Sequence, residues 1–156
     1  MRQYTLLCKS PWPYHVIRVG LALIFIYAGV TKLTDPEAFA RTVSSYDLIP
    51  VKFLPLVAIG LPAFEVLAGI SLVLDVKGSL AVITGLLMMF VFVLGYGVAN
   101  NMEIDCGCFG AGHIADKNSL RNALLCDLAL MGTTGFLYSV RYVRKRNIRF
   151  AAGGLT

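Results

Sequence analysis

Four long apolar segments divide the chain, at residues 14–33, 54–74, 79–99 and 119–140. Each is close to the roughly 20 residues that a helix needs to cross the hydrocarbon core of a bilayer. Charged residues are rare inside the segments and gather in the connections between them. The pattern predicts one membrane domain, residues 1–156, with an all-α fold in which four transmembrane helices form a bundle.

The connection between the first two segments is long enough to contain structure of its own. It includes Asp35-Pro36-Glu37, where a cap residue precedes a proline and an acid, as at the start of many helices. We therefore expect a short interfacial helix between transmembrane helices 1 and 2, carrying Phe39, Val43 and Tyr46.

The composition supports a membrane protein in contact with lipid. Hydrophobic residues make up 57% of the chain and charged residues 15%, and the mean hydropathy is +0.72. Soluble domains are nearer 45–50% apolar and about 25% charged. The first apolar segment is long enough to span and lacks a small-residue cleavage site, so we expect it to be retained rather than removed as a signal peptide.

The net charge of +5 does not indicate nucleic-acid binding, because the basic residues are distributed by topology. A basic tail over residues 141–156 follows the last apolar segment, on the side of the bundle that also carries Arg2, Lys9 and Lys77. The opposite side has fewer basic residues: Lys32, Arg41, Lys52, Lys117 and Arg121. The positive-inside rule then predicts a multi-pass protein of the bacterial cell membrane with both termini cytoplasmic. Loop 100–118 is expected to face the periplasm or cell exterior, where disulfides persist.

That loop contains the sequence Asp105-Cys106-Gly107-Cys108-Phe109-Gly110. A disulfide needs Cα atoms about 4.4–6.8 Å apart, so a bond between Cys106 and Cys108 requires a bent backbone, which Gly107 permits. Such a small ring is strained, and strained disulfides are the ones that exchange readily. We interpret Cys106 and Cys108 as a redox pair.

Two other interpretations of the pair stay open. Cys106, Cys108 and His113 offer thiolate and imidazole ligands for zinc or copper, although one intervening residue is tighter than the usual spacing of structural zinc sites. The pair can also be purely structural. Cys8 precedes the first span and is expected to be reduced. Cys126, about two turns into the fourth helix, is either a small packed hydrophobe or a third thiol that relays electrons.

Some ionisable residues lie within the apolar segments, where charge is costly and functional roles are common. Glu65, near the middle of the second span, either orders the bundle through hydrogen bonds or takes part in proton handling or quinone binding. Asp127 is a second candidate for proton handling, with Lys32 as its candidate partner. Arg18 either extends to the lipid head groups or contributes with Glu65 to a quinone site.

The chain resembles the DoxX-like integral membrane family, and most closely its MauE (methylamine utilisation) branch. The resemblance covers nearly the whole chain and rests on these features in order: Arg18, Ile24-Phe25-Ile26, Ala28-Gly29, Lys32-Leu33, Asp35-Pro36, Phe39, Tyr46, Pro50, Pro62-x-x-Glu65, Gly69 and the Cys-Gly-Cys loop. It implies a four-helix membrane bundle that works with a periplasmic thioredoxin-like partner in the maturation of disulfide-containing proteins, as MauE does for a methylamine dehydrogenase subunit.

Two functions follow as hypotheses. The first is a membrane thiol–disulfide oxidoreductase that exchanges electrons with the thioredoxin-like partner and, by analogy with DsbB and vitamin K epoxide reductase, with a quinone. The second is a non-catalytic membrane protein that docks and stabilises a redox protein. In the second case the cysteines are a staple, and Arg18 and Glu65 hold the bundle together.

Overall fold

The structure is a computed structural model that describes residues 11–100 and 117–153, with side chains for residues 12, 14–100 and 120–143. All regular structure in this part of the chain is helical: α1 (Pro11–Thr34), α2 (Pro36–Ser45), a 3-10 turn (Val51–Phe53), α3 (Leu54–Val73), α4 (Ser79–Ala99) and α5 (Lys117–Gly153). Four helices include stretches long and apolar enough to span a membrane: Tyr14–Thr34, Val51–Val73, Ser79–Ala99 and Leu120–Val143. The predicted all-α fold with four membrane helices is confirmed.

The fourth membrane helix is longer than its apolar segment. α5 has 37 residues, which at about 1.5 Å per residue is a length of about 55 Å, well beyond the roughly 30 Å of a bilayer core. The residues predicted as a basic tail therefore continue the helix as far as Gly153. Lys and Arg are good helix formers, so the helix has no local reason to end where the apolar segment does.

The short interfacial helix between the first two membrane helices is confirmed as α2. Asp35 caps it, since its Oδ1 accepts a hydrogen bond from the Ala38 amide at 3.0 Å, and Pro36 occupies the first turn. Phe39 and Tyr46 are buried against the bundle, whereas the opposite face of α2 is exposed. The connection between α1 and α3 thus packs against the bundle and covers one of its ends.

Helices α1 and α3 pack antiparallel at very short range through two glycines. A Cβ atom on Gly29 would lie 2.7 Å from the Pro62 carbonyl oxygen, and one on Gly69 would lie 2.9 Å from the Ala22 carbonyl oxygen. Small residues at such positions let two backbones approach, which is how membrane helices gain packing energy where lipid is as apolar as the side chains. This contact fixes how α1 and α3 are rotated relative to each other.

Helices α4 and α5 complete the bundle through two apolar clusters. Near the turn between α3 and α4, Leu80 and Ile83 pack in the same core as Leu137. At the opposite end, α4 and α5 meet in a cluster of Tyr46, Leu94, Leu120 and Ala123. We call this end, where residues 101–116 join α4 to α5, the loop side of the bundle.

We expect the substitution Gly29→Ala to destabilise the bundle by about 1–3 kcal/mol, because the added methyl group would meet the Pro62 backbone carbonyl as well as the Val66 side chain, each at 2.7 Å. Gly20→Ala on the same helix is the matched control, since a Cβ there has no neighbour within 4 Å among the described residues. Reversible unfolding in mixed detergent micelles measures both. Equal stabilities of the two variants would show that α1 and α3 are not in close contact.

Candidate functional site

A buried ion pair joins α1 to α3 on the loop side. Lys32 Nζ donates to both carboxylate oxygens of Glu65, at 2.7 Å to Oε1 and 3.0 Å to Oε2. The side chains are only 5% and 1% exposed, so both charges are held away from lipid and water. Glu65 is the ionisable group that sequence reasoning placed near the middle of the second span, and its position there is that of a hydrogen-bonded acid that ties two helices together.

The backbone contact one turn away explains the pairing. Gly29 lies against Pro62 and the Cβ of Glu65, so Lys32, three residues after Gly29, extends along α3 to the Glu65 carboxylate. Aromatic rings enclose the ammonium group on other sides, with centroids 4.7 Å away in Phe90 and 5.5 Å away in Phe39. Cation–π attraction adds to the ion pair and holds the lysine against α2 and α4.

Asp127 lies beside this pair rather than in it. A cavity of about 60 Å³ is lined by Lys32, Glu65, Asp127, Cys126 and Tyr27, among others. The carboxylates of Asp127 and Glu65 and the ammonium of Lys32 interact electrostatically across it. Lys32 was the expected partner of Asp127, but Lys32 donates its hydrogen bonds to Glu65, because Gly29 brings α1 into close contact with α3 beside that residue.

This small cavity brings three ionisable side chains together inside a mostly apolar lining. Two carboxylates share one ammonium, and Asp127 Oδ2 is buried without a hydrogen-bond partner among the described residues. With both carboxylates ionised the three groups carry a net charge of −1, so one bound proton would make the cluster neutral, and the volume is sufficient for water to link the carboxylates. The Cys126 side chain lines the same cavity, next in sequence to Asp127.

A second, larger cavity of about 520 Å³ lies between α2, α3 and α4 and is lined almost entirely by apolar side chains. Lys32 lines this cavity too, so it stands between the small polar cavity and the large apolar one. Sequence reasoning did not find this cavity. The sequence feature that could have indicated this cavity is a set of apolar residues on or just after α2 that need a partner surface: Phe39, Val43 and Tyr46.

Arg18 is placed away from Glu65, at the other end of α1. Its guanidinium pairs with Asp75 at 2.8 Å and donates to the Val73 carbonyl at 3.3 Å, and Arg141 of α5 reaches the same Asp75 carboxylate at 2.7 Å. Fourteen residues separate Arg18 from Lys32, about 21 Å along a helix. The structure therefore does not bring together the two residues that were grouped as a quinone site.

Asp75 is a structural residue whose role the sequence did not reveal, because it lies in a turn outside the apolar segments. Its backbone φ of 55° lies in the left-handed region, which aspartate tolerates better than most residues. That conformation turns the carboxylate toward Arg18 and Arg141. These two ion pairs join α1, α5 and the α3–α4 turn at the end of the bundle opposite the loop side.

The cysteine predictions fall mostly outside the described residues. Cys8, Cys106, Cys108 and His113 all lie there, so the proposed redox pair and the alternative metal site stay predictions. Cys126 is a free thiol, exposed on α5. Within residues 11–100 and 117–153, no group of three or more His, Cys, Asp or Glu side chains is arranged to hold a metal ion.

Comparisons with a family model and with individual proteins identify the same family. The family model described as Methylamine utilisation protein MauE matches residues 10–135. The chain is 30% identical over 132 residues to a Methylamine utilization protein MauE from Paracoccus denitrificans, covering 81% of this chain and 71% of that protein. It is also 30% identical over 139 residues to one from Paracoccus versutus, covering 85% and 74%. No solved structure matches the chain.

We expect Lys32→Met to lower the free energy of unfolding by about 3–5 kcal/mol, because it leaves the Glu65 carboxylate buried and unpaired. The double variant Lys32→Met/Glu65→Met should recover most of this loss, since two apolar side chains of similar volume replace the pair. Unfolding in mixed micelles is the measurement. As a control, Arg41→Met removes one partner of the exposed Glu37–Arg41 pair and should change stability by less than about 1 kcal/mol. A double variant as unstable as the single one would contradict the pairing.

At the opposite end of the bundle, Asp75→Asn should destabilise by about 1–3 kcal/mol, because the buried Arg18 loses its charged partner. Asp47→Asn is a close control, since Asp47 is also an exposed aspartate with positive φ, 49°, and asparagine tolerates that conformation equally well. Its stability should change by less than about 0.5 kcal/mol. The same unfolding assay applies, and a loss as large in Asp47→Asn would assign the effect to the backbone rather than to Arg18.

Proposed function

The chain belongs to the MauE family, and we propose on that premise that it is a membrane protein of methylamine utilisation that performs thiol–disulfide exchange. In this proposal Cys106 and Cys108 exchange electrons with a thioredoxin-like protein and so support disulfide formation in exported proteins. We place the protein in a bacterial cell membrane with both termini in the cytoplasm and the cysteine loop outside, as the distribution of basic residues indicates.

The observation that carries the proposal is the position of the two helix ends from which the cysteine loop extends. α4 ends at Ala99 and α5 begins at Lys117, on the side of the bundle that holds the Lys32–Glu65 pair. Cys106 follows Asn100 by six residues, a reach of at most about 21 Å. The cysteine pair is thus attached to the side of the bundle that holds the Lys32–Glu65 pair, and a complete exchange moves two protons as well as two electrons between the proteins.

The exchange itself conserves electrons. A thiolate of one protein attacks a disulfide sulfur of the other, and a mixed disulfide forms as the second sulfur of that bond leaves as a thiolate. The second thiolate of the attacking pair then attacks the mixed disulfide and bonds to the first sulfur of its own pair. The partner's second sulfur leaves as a thiolate. Two electrons and two protons end on the protein that began as the disulfide. Cys126, which lines the cavity beneath this side, would serve as a relay only if the loop pair can reach it.

A docking role is the second candidate, and the two ion-pair sites favour it. The Lys32–Glu65 pair and the Arg18–Asp75–Arg141 cluster join helices at both ends of the bundle, which is what a rigid platform for another protein needs. In that case Cys106 and Cys108 form a staple that does not exchange. The two candidates differ in whether the partner is ever bound covalently.

We expect Cys106→Ser or Cys108→Ser, whichever leaves the attacking thiol, to accumulate a mixed disulfide with a thioredoxin-like protein that lacks its own resolving cysteine. The double variant should form none. Non-reducing electrophoresis followed by mass spectrometry of the linked peptides is the measurement. Cys8→Ser is the control and should behave like the unaltered protein.

If neither single variant traps the partner and the double variant still supports maturation of the exported protein, exchange is excluded and docking replaces it. Stoichiometric zinc or copper in the purified protein, lost in His113→Ala, would instead assign the loop to metal binding.

A further inference from the structure

The large cavity on the loop side has the volume and the apolar lining of a ligand-binding site. Its volume of about 520 Å³ falls within the roughly 300–1,000 Å³ typical of small-molecule pockets. Phe39 of α2, Phe64 of α3 and Phe90 of α4 are among its lining residues. Among the described residues that line it, Lys32 is the only charged one. A ligand that fits must therefore be mostly apolar, with one polar group that reaches the lysine.

Lys32 can bind such a group without leaving Glu65. An ammonium group has three donors, and the two Glu65 oxygens accept from it at 2.7 and 3.0 Å. The remaining donor is available to an acceptor in a cavity that Lys32 itself lines. The Phe39 and Phe90 rings already flank the ammonium group, so an acceptor bonded to it would lie between aromatic faces.

The charges around Lys32 determine which kind of acceptor group it can bind in the cavity. Glu65 neutralises Lys32, and the Asp127 carboxylate lies close enough to both to act on them electrostatically. A phosphate or carboxylate head group would meet a neutral or negative site, which disfavours it. A plain hydrocarbon chain would leave the lysine donor unbonded in an apolar wall. A neutral carbonyl on an apolar ring and tail satisfies both conditions.

We propose that this cavity binds a membrane quinone, with a carbonyl oxygen accepting from Lys32 Nζ and the ring beside Phe39 and Phe90. Glu65 is then a positioning residue that acts through Lys32, and Arg18 has no part in the site. The redox step rests on the proposed function: the reduced Cys106–Cys108 pair gives two electrons and two protons to the quinone, an S–S bond forms, and the quinone becomes a quinol. The binding site rests on the cavity and Lys32 alone.

Two glycines allow a sharp test of binding. Gly60 of α3 lines the cavity, and a Cβ built on it has no neighbour within 4 Å among the described residues. Gly60→Phe should therefore fill the cavity without straining the bundle. Gly85→Phe on α4 is the matched control, because that position is equally open but does not line the cavity.

The probe is decylubiquinone, titrated into the full-length protein in lipid nanodiscs. We expect Gly60→Phe to weaken binding by about tenfold or more and Gly85→Phe to leave it unchanged. Lys32→Met/Glu65→Met, which removes the donor without leaving a lone charge, should weaken binding by about 10- to 100-fold, the value of one charge-assisted hydrogen bond. Undecanoate, an anion with a similar tail, should bind more weakly than decylubiquinone to the unaltered protein.

Absence of decylubiquinone binding, equal binding by the two phenylalanine variants, or undecanoate binding as tightly would each overturn the quinone site. The Cys106→Ser/Cys108→Ser variant should bind decylubiquinone as the unaltered protein does, and loss of binding there would place the ligand elsewhere. Failure of the mixed-disulfide trap with intact, Gly60-sensitive binding would contradict the proposed function alone. A successful trap without quinone binding would contradict this site alone.

Discussion

The ion pair between Lys32 and Glu65 constrains how the helices of the bundle are arranged. Two charges with almost no exposure have to be paired and hydrogen-bonded, because a single buried charge in an apolar medium is far more costly than the pair. The pair can form only if α1 and α3 are rotated so that both side chains point inward, and the glycine contacts of Gly29 and Gly69 give that rotation. Electrostatics and close packing therefore specify the same arrangement, and α2, α4 and the two cavities are built around it.

The sequence predicted the elements well because each depends on local chemistry. Apolar length identified the membrane helices, and Asp35-Pro36 identified α2. Glu65 and Asp127 were found because charges stand out in apolar segments. Their partners were not predictable, since the Glu65–Lys32 pair depends on which helices touch and how they are rotated. Asp75 was missed for the opposite reason: in an exposed turn, a carboxylate attracts no attention until the fold brings Arg18 and Arg141 to it.

The two ends of the bundle differ in what their charges can do. At the end opposite the loop, Arg18, Asp75 and Arg141 join helices, and none of the three lines the apolar cavity of about 490 Å³ at that end of α1. On the loop side, the Lys32–Glu65 pair is flanked by a polar cavity with Asp127 and by the large apolar cavity. Both ends stabilise the fold, but among the described residues it is on the loop side that a buried ion pair itself lines a cavity, and the cysteine loop begins and ends on that side.

Lys32 connects the buried ion pair to the space for a ligand, because this one residue lines both cavities. In the proposed reaction a quinone gains two protons as well as two electrons, and an apolar pocket cannot supply protons by itself. An acceptor bonded to Lys32 would be one hydrogen bond away from the Glu65 carboxylate, and Asp127 lies across the small cavity from both. Protons could then enter from the polar cavity while the quinone stays in the apolar one. A docking protein has no comparable need for a buried lysine between two such cavities.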